Sequence, residues 1–161
     1  EANSFGAELE FRKKLDFSPA LKNFTVQGNM SYIYNRVKSL DRAMQGQSPY
    51  LLNAAIQYDL EKYGINTTLL FNQIGRRIAL VGGSDQPPIW ENPRPFLDFQ
   101  VAKKVLKGKG EFKLNVSDLF NKEAIFYTDI NDNKKYDSKT DAYAIKRKYG
   151  TNVSISFGYN F

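Results

Sequence analysis

The stretch "TNVSISFGYNF" at positions 151–161 places Val153, Ile155, Phe157, Tyr159 and Phe161 on one side of an extended chain. Asn152, Ser154, Ser156, Gly158 and Asn160 fall on the other side. Successive side chains of a strand point to opposite faces, so this period of two marks a strand with one apolar face. Six earlier runs repeat it, with apolar series Phe5–Phe11, Phe24–Tyr34, Tyr50–Leu60, Tyr63–Phe71, Leu97–Val101 and Phe112–Val116. Seven antiparallel strands are therefore expected, and no segment reads as a long amphipathic helix.

The connections carry a second pattern. Short joins around "DFSPALK", "EK" and "KGKG" alternate with long segments over Val37–Pro49, Gln73–Pro95 and Asp118–Gly150. All tight turns then lie at one end of the sheet and all long loops at the other. Long loops are uncommon in compact soluble domains, whereas this alternation is the rule in outer-membrane barrels. A soluble sandwich shares the period of two. Tyrosines at strand ends (Tyr32, Tyr34, Tyr50, Tyr58, Tyr63 and Tyr159) favour the membrane, where such rings form interfacial girdles. An even strand number puts both ends of a single-chain barrel on the periplasmic side. Seven is odd, so at least one further strand is expected ahead of Glu1.

Composition narrows the chemistry. The mean hydropathy of −0.51 looks water-soluble, but averaged windows miss strands that spread their hydrophobicity over alternate residues. There is no cysteine and no histidine, so thiolate chemistry, Ser-His-Asp triads and His- or Cys-bearing zinc sites are excluded within the chain. The net charge of +6 comes from residues mostly between or at the ends of strands. With no basic helix, zinc finger or RNP-like strand, these read as solvated or headgroup-facing charges, and nucleic acid is not an expected partner.

The fragments "RAMQGQSPYLLNAAIQY", "LLFNQIGRRIALVGG", "PRPFLDFQVAKK", "KLNVSDLFN", "DINDNKKYD" and "SFGYNF" together resemble the C-terminal barrel end of Bacteroidetes-type, SusC-like TonB-dependent outer-membrane receptors. The resemblance covers Arg42–Phe161. It implies an all-β antiparallel transmembrane barrel of about 22 strands, of which this chain supplies the last seven. It also implies nutrient uptake (siderophore, glycan, peptide or cofactor) without catalysis. The implied partners are the rest of the barrel and its plug, the TonB energy-coupling complex, a surface lipoprotein lid, outer-membrane lipid and lipopolysaccharide, and the barrel-assembly machinery. No plug or TonB box lies in these residues. A structural or adhesive barrel that displays loops to a protein partner is the alternative.

Few residues suggest chemistry of their own. Glu8 and Glu10 share a strand face at a spacing compatible with glycoside hydrolysis, but nothing else builds a sugar-cleaving cleft, and wet strand charges are the better reading. "DINDNKKYD" spaces Asp129, Asn131 and Asn133 like a calcium loop, yet Lys134 and Thr140 occupy the positions where an EF-hand needs Gly and Glu. Asn and Asp stabilising turns explain it better, with a loose calcium contact as the lesser reading. No cofactor or metal ligand is assigned. Trp90, Arg76, Arg77 and Tyr127 are candidate ligand or partner contacts on the long loops, although Trp90 packing against neighbouring loops is favoured over stacking on a ligand. Phe157, Tyr159 and Phe161 are candidates for an assembly signal read through edge-strand pairing.

Overall fold

A computed structural model describes all 161 residues, Glu1–Phe161. Eleven strands form: β1 (Ala2–Lys14), β2 (Phe24–Val37), β3 (Tyr50–Leu60), β4 (Ile65–Ile74), β5 (Arg77–Leu80), β6 (Ile89–Glu91), β7 (Pro95–Val105), β8 (Gly110–Ser117), β9 (Ala124–Thr128), β10 (Ala142–Arg147) and β11 (Asn152–Tyr159). The seven expected strands build one antiparallel sheet in the order β1-β2-β3-β4-β7-β8-β11, referred to below as the wall.

Register keeps every alternating run in phase with its neighbour. Leu9 pairs with Met30, Met30 with Leu52, Ile56 with Leu69, Leu69 with Phe99, Phe99 with Val116, and Leu114 with Ile155. One wall face is therefore apolar from edge to edge. Stacked and tilted ring pairs mark its margins, with Phe5 against Tyr34 near the long-loop end and Phe24–Tyr58 and Phe112–Phe157 near the tight turns. From Tyr34 to Phe24 the chain advances about 33 Å, and a tilt of about 40° reduces this to the roughly 25 Å height of a lipid-facing band. Lys103, which shares this face at its turn end, donates from its ammonium to the Tyr63 carbonyl and so keeps its charge at the margin.

The opposite face is hydrogen-bonded to itself. Asn53 donates to Asn29 at 2.7 Å, and Asn72 donates to Asn53. On the other half of the wall, Gln100 donates to Asn115 at 2.6 Å, and Asn115 to Ser154 at 3.3 Å. Glu8 and Glu10 stand on this face, opposite Ser31 and Asn29. Only 10 of 161 residues are buried, far fewer than a soluble domain of this length encloses, so the wall is a surface with two faces rather than half of a core.

The wall is open. β1 and β11 each have one unpaired edge, and because every step between them is antiparallel they run in the same direction. The sheet cannot close antiparallel on itself; closure takes an odd number of further strands.

The long segments hold more structure than expected. Two of them contribute β5, β6, β9 and β10 to a second sheet in the order β10-β9-β6-β5. These strands have 4, 3, 5 and 6 residues, and their apolar residues stand side by side, as in Ile125-Phe126-Tyr127, so no polar–apolar alternation marks them. Each continues a wall strand: β4 leads into β5, β6 into β7, β8 into β9 and β10 into β11. The loop sheet thus repeats the wall order β4-β7-β8-β11 one storey higher. Glycine marks two of the crossings. At one, a Cβ on Gly75 would lie 2.7 Å from the Tyr50 ring, which leaves room for glycine alone; at another, Gly150 adopts φ +85, a conformation glycine reaches without strain.

Candidate functional site

The loop sheet is organised around Tyr127, whose exposure is 0%. Trp90 and Tyr127 are register partners across β6 and β9, and Ile78 faces Trp90 across β5 and β6. Arg76 lies over this surface. Its guanidinium sits 3.5 Å from the Trp90 ring centroid, its Nε donates to the Tyr127 hydroxyl at 2.8 Å, and its terminal nitrogen pairs with Asp129 at 2.6 Å. The side chains of Arg76 and Asp129 are only 13% and 2% exposed. A planar cation that stacks and donates in several directions suits this position as lysine would not. Tyr136 closes the stack with an edge contact to Tyr127 at 5.2 Å. Burial pushes the Tyr127 phenol up from its ordinary value, and the Arg76 charge partly offsets this.

The "DINDNKKYD" turn supplies the acid. Asp129 accepts the backbone amides of Asn133 and Lys134 besides the Arg76 guanidinium. Asn131 and Asn133 accept amides two residues ahead, and Asp141 accepts those of Ile130 and Asp137. The oxygens of the calcium-like spacing are thus engaged in holding turns, as the Asn/Asp reading expects.

Arg77 turns elsewhere and pairs with Glu91 at 2.6 Å. A second buried ion pair lies at another crossing: Arg94 meets Asp118 at 2.8 Å and stacks 3.8 Å from the Phe96 ring centroid. Arg76, Trp90 and Tyr127 therefore come together and Arg77 flanks them. Phe157, Tyr159 and Phe161 lie at the opposite end of the molecule, with Phe161 edge-on to Tyr159 at 5.2 Å.

A groove of about 420 Å³ opens beside this cluster, lined in part by Tyr32, Tyr34, Gln47, Arg77, Trp90 and Lys134. It exists because β2 outruns β3: strand pairing between them stops at Tyr32 and Tyr50, while β2 continues to Val37 against β1, with only an Ile33–Pro49 backbone bond and a Val37–Arg42 bridge on its other side. The notch is rich in ring faces and hydrogen-bond donors, and it suits a polar ligand with acceptor groups. The sequence placed Tyr32 and Tyr34 in a girdle and Asp129 and Lys134 in a polar turn, and gave no sign of Gln47 or Glu91. Their meeting depends on contacts distant in sequence, for which no local signal exists.

No curated protein and no solved structure matches the chain. Residues 1–159 match the model of the outer membrane protein beta-barrel family, and the chain belongs to that family, with the outer membrane as its location.

Proposed function

We propose that this chain forms part of the barrel wall and the ligand-facing loops of a TonB-dependent nutrient receptor, a transporter with no chemistry of its own. The observation that carries the reading is the asymmetry of the two ends: three tight turns on one side, and on the other an ordered loop sheet with a donor-rich aromatic groove. In this reading the polar ladders face a watery lumen that holds a plug, the TonB complex pulls that plug, and a lipoprotein lid caps the loops. The ligand is a siderophore, glycan, peptide or cofactor, gripped in part by Trp90, Arg77 and Lys134. Phe157, Tyr159 and Phe161 end the wall with an aromatic strand that the barrel-assembly machinery reads. Bilayer contact, including lipopolysaccharide, falls to the apolar face.

The exposed loop sheet equally suits a structural or adhesive barrel that displays loops to a protein partner. Energy dependence separates the two. Cells expressing the full-length protein are expected to accumulate a labelled nutrient from a panel of those four classes only while the TonB complex and proton gradient are intact. Unchanged accumulation of every panel member after removal of TonB contradicts transport, and capture of cells or proteins without uptake supports display.

A further inference from the structure

The wall and the loop sheet share one neighbour order, so their free edges stack. β10 stands above β11, and neither has a partner on its outer side. All six β10 residues are exposed, Tyr143 and Ile145 by 60% and 55%. An open edge with apolar side chains is a template for another strand.

Charge describes the missing strand. Most acidic groups around the loop sheet are engaged: Asp129 with Arg76, Glu91 with Arg77 and Asp118 with Arg94, and Asp137 and Asp141 with backbone amides; Asp85 and Asp132 lie in the β5–β6 and β9–β10 connections, at the end away from the wall. Lys146 and Arg147 end β10 and Lys148 follows it, none with an ion-pair partner, and Lys122 lies just before Ala124, the register partner of Arg147. Glu123, next to Ala124, is the carboxylate beside them in this register. Four cations against one carboxylate leave the foot of this edge positive.

We propose that a fifth strand completes the loop sheet on β10, an acidic extended segment rising from whichever wall strand pairs with β11 in the closed barrel. Continuity identifies this occupant. In all four existing columns the upper strand is chain-continuous with the wall strand below it, and the same rule puts the extension of β11's neighbour beside β10. The inference rests on membership of the barrel family and holds whether or not the barrel transports.

A photoactivatable benzoyl-phenylalanine at position 145 of the full-length protein, in intact outer membranes, tests it. Illumination is expected to join residue 145 to an extracellular segment of the same barrel that is acidic, located by peptide mass spectrometry. Lys146→Glu with Arg147→Glu should lower the yield about five-fold through like-charge opposition across the strands, with heat-modifiable barrel unchanged. If the double reversal impairs insertion, Arg147→Gln alone should lower the yield less but detectably. Attachment chiefly to lipopolysaccharide or to a separate protein, or no adduct in a normally inserted barrel, overturns the proposal.

Discussion

The wall and the loop sheet are built from the same neighbour order but held together differently. Wall strands of 8 to 14 residues rely on long ladders of backbone bonds, an apolar face that lipid covers and amide rows on the wet face. The short strands above them rely on a few buried charged and aromatic side chains: Arg76 between Trp90, Tyr127 and Asp129, and Arg94 between Phe96 and Asp118. Lipid replaces a core in the first region, so damage there is graded by depth. Specific partners replace a core in the second, so damage there is concentrated in single residues.

The sharpest way to separate the two is to remove one buried charge. Asp129→Leu strands the Arg76 guanidinium under Trp90 and costs about 3–5 kcal/mol, as breaking a buried pair does. Hydrogen exchange of the full-length protein should show β9 and β10 opening while wall amides stay protected; equal loosening of both would erase the distinction. A smaller effect is expected in the wall, where Ile155→Arg on the lipid face should cost about 2–4 kcal/mol and Ser154→Arg on the wet face little. Equal tolerance in a reversible folding titration would mean that the faces are misassigned.

Phe161 tests a property that neither sheet's stability explains. Burying one Phe contributes about 1.5–3 kcal/mol at most, a small part of a closed barrel, so a purely structural Phe161 leaves surface levels nearly normal. A signal role predicts a roughly ten-fold fall in heat-modifiable surface protein for Phe161→Ala, and recovery with Phe161→Trp. The smallest effect is alkaline. The Tyr127 phenol is raised in the fold, so its contribution is complete below the ordinary value of about 10 and is lost as pH rises through the raised value. Loop-sheet amides should lose protection at high pH sooner in wild type than in Tyr127→Phe; identical profiles would remove the phenol from the account.

The wall was legible from the sequence because a single physical rule generates it. Lipid outside and water inside impose strict alternation, and Phe24–Tyr34 or Val153–Phe161 carry it long enough to be read. Strand boundaries were less legible: β7 starts at Pro95 and ends at Val105, beyond the expected Leu97–Ala102, because Lys103 and Lys104 look like loop residues until the Lys103 ammonium is seen to reach Tyr63. In the loop sheet, "RRIAL" and "AIFYT" run their apolar residues together instead of alternating them, and the Arg76–Asp129 pair joins segments with no common local pattern. The sequence offered Arg76, Arg77, Trp90 and Tyr127 as candidate ligand or partner contacts on the long loops. It could not show that Arg76 is largely occupied by Trp90, Tyr127 and Asp129 before any ligand arrives.

The shared order of the two sheets also has a kinetic consequence. Trp90 and Tyr127 are distant in the chain, and closing so long a loop in a disordered chain carries an entropy cost that slows folding. Once β7 and β8 have paired, only Asn92–Arg94 and Asp118–Glu123 remain as free chain between β6 and β9. The membrane hairpin acts as a splint that shortens the search, and the upper sheet zips from its foot upward. The chain can therefore cross the bilayer with its loops still unpaired and assemble them afterwards, without carrying a preformed sheet through the membrane.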